Sequence, residues 1–434
     1  MKTSIGHHTI TIFLQIDGKE AKELYFDFCN YRDTTGKIKM YVPTGDKNWT
    51  YATGDHFRTI KKTPKVWRID YIDDRKGISW TLRFYNHSGK FKTYLVEAKI
   101  NPKVFVGIKD YIRASDSRYL LEVERKFNEE ASLISPLLGQ FSLYTPKRID
   151  FCINFDLREL GIFCTPEQMM WLIKRGDYPS HFDELQYYDK VSHRKTSHWY
   201  SHYLKSDTVN INCYYKYFQL KEQFPDCPNI EDALHIIRFE VQCKYRKTRA
   251  MLLSEKARMK EEEKLFGGNR SVDDPVRIIH RMLSDMTAEK IITQYFNQII
   301  KSGSYHTRAE AIKIIENEVS SPRQQEDMIR ILDEINRMGI AKFRERIHPS
   351  FKNLFYKVLR ALAELNINPI FVPKSFKPKH VPNLLSAFKQ LRDSGGLVNS
   401  FDDPYEPLEE PYELSISQTD VANLLGDDFD GDGV

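Results

Sequence analysis

The sequence lacks the signatures of several well-defined protein classes. Its six cysteines are scattered, with no Cys-x-x-Cys pair and no histidine at zinc spacing, which argues against a structural zinc site or a disulfide scaffold. No apolar run reaches the roughly 20 residues that span a bilayer. The N-terminus lacks the apolar core and cleavage site of a signal peptide, so we expect a cytoplasmic protein. A Gly-x-x-x-x-Gly-Lys-Ser/Thr phosphate loop is also missing, so no nucleotide-driven step is indicated.

Composition and charge indicate a globular chain with a polyanionic partner. Hydrophobic residues make up 41% of the 434 residues and aromatic residues 13%, enough for two or three packed units. The formal net charge is +5, but residues 401–434 contain 11 acidic residues and no lysine or arginine, so residues 1–400 carry +16. Such an excess favours a nucleic acid partner, although a lysine-rich solvated surface would have the same charge.

The C-terminal segment, residues 396–434, is acidic and broken by prolines, which predicts a disordered tail. Three roles fit such a tail. It is a solubilising segment, a short peptide for a partner protein, or an internal mimic of nucleic acid that covers the basic body of the chain.

Hydrophobic periodicity divides the rest of the chain into three regions. Residues 1–92 are predicted to be β-rich, because strands such as TITIFLQI alternate with Asp, Gly and Asn turns. Residues 93–245 combine strands with a helix at 166–175, which Thr165 caps. Residues 246–395 are mostly helical. The predicted fold is therefore α+β, with a central, mostly antiparallel sheet, flanking helices, a β-rich N-terminal extension and a helical C-terminal region.

Two helix starts stand out in the C-terminal region. The spacings from Thr307 to Glu310 and from Ser321 to Gln324 are those of helix capping boxes. The two helices fit a helix-turn-helix, but capped helical hairpins without DNA contacts are common. Residues 246–350 hold the densest basic helical sequence, and we expect duplex recognition there rather than in the N-terminal strands.

Four predicted strands each have one apolar face and one polar face, because side chains alternate along a strand. The polar positions are Glu97 and Lys99 in residues 93–101; Arg148, Asp150, Cys152, Asn154 and Asp156 in 147–156; Asn210, Asn212, Tyr214 and Lys216 in 209–217; and Arg238, Glu240, Gln242 and Lys244 in 235–245.

Three of these polar faces carry a carboxylate near their middle, and the fourth carries a tyrosine. If the strands are neighbours, Glu97, Asp150 and Glu240 converge with Tyr214. Hard oxygen ligands suit Mg²⁺ or Mn²⁺, which would polarise a phosphodiester while a phenolate attacks it. Lys216, on the same face, is expected to lower the pKa of the phenol or bind a flanking phosphate. The alternative is an ordinary sheet with a solvated polar face.

Four sequence blocks resemble the rolling-circle replication initiators of small Gram-positive plasmids and the related relaxases of integrative elements, the Rep-trans or replication-initiation-factor type. The blocks are VEAKINPKVF (96–105), KRIDFCINFD (147–156), YLKSDTVNINCYYK (203–216) and IIRFEVQCK (236–244). They occur in the family's order and together span about a third of the chain.

The resemblance implies a degenerate HUH-like endonuclease fold in which Tyr214 is the nucleophile. It places Glu97, Asp150 and Glu240 at a Mg²⁺ or Mn²⁺ site. Where the family often has a second aspartate, this chain has Asn154, which can bind a metal through its carbonyl oxygen without adding charge.

Basic residues of the same blocks, Arg148, Arg238 and Lys244, are the expected DNA contacts, and Lys216 assists the nucleophile. A clear His-x-His pair is missing, and only His198 and His202 lie just ahead of the tyrosine strand.

The activity implied by the resemblance is the nicking and rejoining of origin DNA. The tyrosine would become joined to a 5′ phosphate, and no nucleotide cofactor would be needed. The implied partners are origin DNA, single-stranded or extruded as a hairpin beside a duplex recognition site, and the host helicase and replication proteins, with a homodimer possible. A conjugative relaxase would share this chemistry. A non-catalytic DNA-binding regulator of the same fold is the alternative of a different class, although such a protein has no chemical need for the tyrosine and its three acids.

Overall fold

The structure of the protein is a computed structural model. It describes residues 2–36, 39–43, 49–51, 66–73, 77–87, 91–108, 110, 112–189, 194–223, 225, 227–266 and 275–394. The acidic tail predicted for residues 396–434 lies outside the described residues.

The strands and helices follow each other in the order expected of a mixed α+β protein. The strands are β1 (Ser4–Ile16), β2 (Lys39–Pro43), β3 (Trp49–Tyr51), β4 (Val66–Asp73), β5 (Ile78–His87), β6 (Phe91–Ile100), β7 (Thr145–Asp156), β8 (Asp183–Glu184), β9 (Tyr187–Asp189), β10 (Arg194–Thr196), β11 (Ser201–Lys205), β12 (Val209–Tyr215), β13 (Ile236–Cys243), β14 (Tyr305–His306) and β15 (His380–Val381). The helices are α1 (Gly18–Thr35), α2 (Pro102–Val106), α3 (Leu120–Ile134), α4 (Pro166–Lys174), α5 (Lys216–Gln223), α6 (Tyr245–Phe266), α7 (Pro275–Met282), α8 (Asp285–Ile299), α9 (Arg308–Glu318), α10 (Pro322–Met338), α11 (Ile340–Arg346), α12 (Lys352–Glu364) and α13 (Leu384–Asp393).

Eleven of the described strands form one sheet, in the order β3-β2-β4-β5-β6-β1-β7-β13-β12-β11-β8. All the neighbouring strands in it pair antiparallel. The predicted α+β class with a large antiparallel sheet is therefore confirmed. The finer assignment to an HUH-like fold stays a prediction.

The N-terminal strand β1 lies in the middle of this sheet, between β6 and β7. Its residue Ile10 pairs with Ile100 on one side and with Ile149 on the other. The sheet therefore continues across the boundary predicted between residues 92 and 93, which falls inside β6. Hydrogen bonding on both edges explains why the apolar residues of β1 belong to the main core.

Helix α1 interrupts a region that the periodicity predicted to be mostly strand. Asp17 caps it, and a reciprocal bond from the Asp17 backbone to Glu20 completes a capping box. Ala21, Leu24 and Phe28 are buried on one face of the helix, at the spacing of an amphipathic helix. Both signals are present in the sequence, and the strand prediction was wrong here because neighbouring strand patterns were extended across them.

The C-terminal helices and the sheet share one hydrophobic core. Phe296 of α8 packs against Phe155 of β7 and Phe239 of β13, with ring centroids 5.6 and 5.3 Å apart. Phe388 of α13 contacts Phe155 from another direction, at 6.3 Å. The helices thus cover the apolar face of the central strands, which leaves the opposite, polar face for chemistry.

The predicted helix starts in the C-terminal region are confirmed. Thr307 accepts a hydrogen bond from the backbone of Glu310 at the start of α9, and Ser321 accepts one from Gln324 at the start of α10. Within the described part of the chain, none of the helices has the length and apolar character that crossing a bilayer requires.

Candidate active site

The polar faces of β12, β13 and β7 adjoin, as the sequence predicts. Arg238 of β13 lies between Tyr214 of β12 and Asn154 of β7 in one row of cross-strand partners. In the next row, Glu240 lies between Asn212 and Cys152. Three of the four family-like blocks therefore occupy consecutive strands with their polar residues on one face.

The Tyr214 hydroxyl donates a hydrogen bond of 2.6 Å to Oε1 of Glu240. The tyrosine is only 5% exposed and Glu240 is equally buried. Burial, and then the negative charge of Glu240, raise the pKa of the Tyr214 phenol well above its usual value. Of the two roles expected of Lys216, the lowering of this pKa is not found, because the phenol is buried and its hydrogen-bond partner is a carboxylate.

Arg238 is fully buried beside this pair. Its Nε donates to Oδ1 of Asn154 at 2.7 Å, and its Nη2 donates to the carbonyl of Ile112. The remaining nitrogen, Nη1, lies 3.7 Å from Oε1 of Glu240 and makes no hydrogen bond with any described group. A buried guanidinium N–H without a hydrogen bond costs free energy, so this donor is available for an anion.

Lys216 does not continue β12 as predicted, since the chain turns into α5 at this residue. Its Nζ nevertheless lies 5.9 Å from the centre of the Tyr214 ring and donates to Oε1 of Gln219 at 2.7 Å. Burial, and then the charge of Arg238, lower the pKa of Lys216 well below its usual value. Lys216 therefore lies next to Tyr214, but at the start of a helix rather than within the predicted strand. Tyr215 points to the opposite face, as predicted, and donates to the carbonyl of Leu234.

The predicted acids do not come together as one group. Asp150 is held by two hydrogen bonds from Arg148, of 2.8 and 3.1 Å, and lies one diagonal step from Glu240. Burial raises the pKa of Asp150, and the Arg148 charge opposes that shift. Glu97 pairs with Arg83 and Lys147 at 2.9 and 2.6 Å.

The register explains the separation of Glu97. On β1, Thr9 is the partner of Asp150, whereas Phe13 is the partner of Glu97. Four residues along the strand and two strand spacings correspond to about 14 Å and about 10 Å. Glu97 thus shares the face but not the site, and Lys147 and Arg83 already neutralise it.

The predicted metal ligands do not fit a metal in this arrangement. Asn154 uses its side-chain oxygen for Arg238, and each of the three carboxylates faces an arginine. Among the described residues, no three His, Cys, Asp or Glu side chains form a group that could hold a metal ion. We therefore derive no chemical step through a metal.

His8 is a site residue that the sequence reasoning missed. A register shift between His7 and Thr9 marks a β-bulge, a feature that often re-aims a side chain near an active site. The Nδ1 of His8 lies 3.0 Å from the Thr9 hydroxyl. Burial lowers the pKa of His8 well below its usual value, and the nearby positive charges lower it further. The charges come from Arg238, Lys216, Lys99 and Arg148. The tandem histidines at the start of a predicted strand were the available signal.

The other predicted residues lie away from Tyr214. His202 is the cross-strand partner of Cys213 and so belongs to the opposite face, where its Nδ1 is 3.5 Å from Glu184. Lys244 follows the end of β13 and donates to the backbone carbonyl of Ser206 at 3.0 Å.

A small second hydrophobic cluster adjoins the site. It consists of Ile112, Leu220, Cys227, Ala233 and Ile236. Ile236 lies two residues before Arg238 on the same face of β13. The carbonyl of Ile112 accepts a hydrogen bond from Arg238, and Leu220 belongs to α5, the helix that begins at Lys216.

The charge on the covered face is positive. Around Tyr214, the cations Lys99, Arg148, Lys216 and Arg238 all act on His8, whereas the neighbouring carboxylates are Asp150 and Glu240. Lys216 and Arg238 are buried, whereas Lys99 and Arg148 are partly exposed. Such an excess of positive charge favours the binding of an anionic group.

Comparison with known proteins adds little to this geometry. No family model matches the chain, and no curated protein matches it significantly. Among solved structures, it is similar to a rolling circle replication initiator protein from Geobacillus stearothermophilus, at 8% sequence identity and a TM-score of 0.24. That similarity covers 57% of this chain and 77% of the other. A likeness this weak carries no argument for the fold or the function of the chain.

Proposed function

We propose that this protein is a DNA-nicking and DNA-joining enzyme of the rolling-circle replication initiator type, with Tyr214 as its nucleophile. The observation that carries the proposal is the 2.6 Å hydrogen bond from the Tyr214 hydroxyl to Glu240, beside an arginine nitrogen, Nη1 of Arg238, that makes no hydrogen bond with any described group. A nucleophile, a proton acceptor and an anion-binding donor thus adjoin on one sheet face. The resemblance of the four sequence blocks supplies the reaction class.

In the proposed reaction, the Tyr214 oxygen attacks the phosphorus of a phosphodiester while its proton passes to the Glu240 carboxylate. A tyrosine–phosphorus bond forms, the bond from phosphorus to the 3′ oxygen breaks, and that oxygen takes a proton from water to leave as a 3′ hydroxyl. The reverse reaction joins the ends, because the link between Tyr214 and the 5′ phosphate is itself a phosphodiester and keeps the free energy of the bond that was broken.

The two buried cations beside Tyr214 stabilise the charge that develops on the phosphate. Arg238 offers Nη1 from a guanidinium that Asn154 and Ile112 hold in place. Lys216 adds a second amine-bearing side chain, whose Nζ lies 5.9 Å from the centre of the Tyr214 ring. Fixed donors in a water-poor site are effective because they need no reorganisation during the reaction.

Dependence on Mg²⁺ or Mn²⁺ stays a prediction from the resemblance. The measurement is nicking in excess chelator, followed by return of either ion. Loss and recovery of activity would mean that the acids rearrange around a metal when DNA binds. Full activity in chelator would mean that the arginine-paired arrangement is the active one.

The test of the proposed function is nicking of a supercoiled plasmid that carries the DNA flanking this protein's own gene. We expect Tyr214→Phe to abolish nicking and to leave DNA binding nearly unchanged, since only a hydroxyl is removed. The matched control is Tyr215→Phe, which alters the adjacent tyrosine on the opposite face and should nick normally. A covalent adduct should map by mass spectrometry to Tyr214, and an adduct on Tyr215 or Tyr217 would contradict the proposal.

A second candidate function is DNA binding without nicking, as in a regulator that retains the fold. The burial of Tyr214, which is only 5% exposed, favours this alternative. A wild-type protein that binds DNA but neither nicks it nor forms an adduct would establish it. A conjugative relaxase would behave as the initiator does in these assays, and transfer of a plasmid between cells would distinguish the two.

A further inference from the structure

Helix α12 has two distinct faces. Phe355, Val358 and Leu362 are buried against the neighbouring helices. Seven exposed residues lie on the opposite face. Ala363 and Glu364 end it, and we call the five before them the α12 stripe: Lys352, Asn353, Tyr356, Lys357 and Arg360. At 100° per residue, these five positions fall within an arc of about 140°, so they form one continuous strip along the helix.

The α12 stripe is basic and its cations are free. Among the described residues, none is within ion-pair distance of Lys352, Lys357 or Arg360. The stripe contains no acid between its first and last member, and Glu364 follows only at the end of the helix. Helix α10 shows the opposite pattern, because its exposed Arg330 and Arg337 each pair with an acid three residues earlier.

The side chains of the α12 stripe match the chemistry of a DNA groove. An α-helix fits the major groove, where arginine recognises guanine and asparagine recognises adenine. Lysines at the edges of such a helix contact phosphates. Tyr356 is 50% exposed and offers both a ring and a hydroxyl. With 13 residues, α12 is about 20 Å long, which is long enough to lie along several base pairs.

We propose that the α12 stripe binds duplex DNA in the major groove and holds the protein at its recognition site. The choice of origin DNA as the duplex rests on the proposed function. The exposed Arg346 and His348, just before the helix, extend the same basic surface and contact the phosphate backbone. Duplex recognition therefore lies at the C-terminal end of residues 246–350 and just beyond it. Many arginines earlier in that range are paired with acids, as Arg281 is with Glu262.

The test compares two triple variants that each remove three positive charges from exposed residues. The stripe variant is Lys352→Ala, Lys357→Ala and Arg360→Ala. The control variant is Arg308→Ala, Arg330→Ala and Arg337→Ala, whose arginines pair with acids on neighbouring turns or helices. The probes are a fluorescent 30-base-pair duplex of random sequence and one of its single strands. Circular dichroism confirms that both variants fold.

We expect the stripe variant to bind the duplex at least about tenfold more weakly, because it loses contacts to phosphates. Each lost phosphate contact should also make the slope of log affinity against log salt shallower by about 0.9. The control variant should stay within about threefold of wild type. Nicking of a single-stranded oligonucleotide should be unchanged in both, because Tyr214 is untouched. Asn353→Ala should weaken the sequence preference obtained by selection from a duplex pool without changing the salt slope.

Equal loss of duplex affinity in both variants, or an equal loss for single strands, would overturn the inference. The inference would also be overturned if the wild type bound vesicles containing phosphatidylserine and the stripe variant lost that binding but kept its duplex affinity. The outcome is separable from the proposed function. A protein that nicks through Tyr214 but keeps its duplex affinity without the stripe refutes only this inference, whereas a stripe-dependent duplex binder that never nicks refutes only the enzyme.

Discussion

At the scale of single residues, the chemistry depends on where the Tyr214 proton goes. The phenol is buried, its pKa is raised, and its hydrogen bond ends on Glu240. A tyrosine in this state is a poor nucleophile unless the acceptor removes its proton during attack. In the proposed reaction, Arg238 balances the charge, since its Nη1 lies 3.7 Å from Oε1 of Glu240.

The first prediction at this scale concerns Glu240→Gln. Nicking by the wild type should vary little between about pH 6 and 9, because its phenol proton passes to Glu240 within the protein rather than to solvent. The amide accepts no proton, so the variant must lose its phenol proton to solvent. Its rate should be lower and should rise about tenfold per pH unit, because the phenolate fraction rises that way below the raised pKa of Tyr214.

The measurement is the single-turnover nicking rate at saturating DNA across this pH range. Gln242→Glu is a useful control, because it adds a carboxylate two residues away on the same face and should not restore the variant. A flat profile in Glu240→Gln would show that Glu240 is not the proton acceptor.

At the scale of elements, the contact between β1 and the segment before α3 fixes the cover over the site. His7 and Ser115 exchange backbone hydrogen bonds of 2.8 and 2.9 Å. Three residues earlier in the segment, the carbonyl of Ile112 accepts from Asn154 at 2.6 Å and from Arg238. The position of Arg238 therefore depends on the distance between β1 and this segment.

Gly6→Ala tests this approach. A Cβ at residue 6 would lie 2.0 Å from the carbonyl oxygen of Ser115, so the backbone would have to move. We expect a loss of about 2–4 kcal/mol in the free energy of unfolding and weaker nicking, because Ile112 would shift away from Arg238. Urea unfolding and the nicking rate are the measurements.

Gly36→Ala is the matched control, because Gly36 has a φ of +64° and nothing near its Cβ position. Its cost should be only the strain of a left-handed alanine, about 1–2 kcal/mol, with normal nicking. If Gly6→Ala were no more costly than Gly36→Ala and nicked equally well, the segment would not position Arg238.

At the scale of the whole molecule, charge is the dominant feature. Residues 1–400 carry +16 and residues 401–434 carry 11 acidic residues. The described body presents free cations on the α12 stripe and covered ones around Tyr214. An acidic segment joined to such a body competes with DNA for the same cations, and salt screens that attraction.

Truncation after Ser400 should therefore tighten non-specific DNA binding at low salt, with the gain fading as salt rises. The control is a full-length chain in which Asn and Gln replace the 11 acidic residues, and it should behave as the truncated protein does. Fluorescence anisotropy with a random duplex at several salt concentrations measures both. Equal affinity of the truncated and full-length proteins at low ionic strength would leave the solubilising and partner-peptide roles.

Local patterns in the sequence determined much of the site. Period-two alternation assigned Asp150, Tyr214 and Glu240 to polar faces, and capping residues located the starts of α9 and α10. These features depend on residues a few positions apart, so composition and spacing are sufficient to predict them. The order of the four blocks likewise identified which strands carry the candidate nucleophile and acids.

Only the tertiary structure decided which of these groups meet. Strand pairing joins residues more than a hundred positions apart, and local periodicity contains no information about it. The insertion of β1 between β6 and β7 moved Glu97 away from Asp150 and brought His8 in. The surroundings of Tyr214 have the same origin, because Arg238, its cross-strand partner, donates to the carbonyl of Ile112, 126 positions away. Burial, together with Glu240, raises the pKa of the phenol.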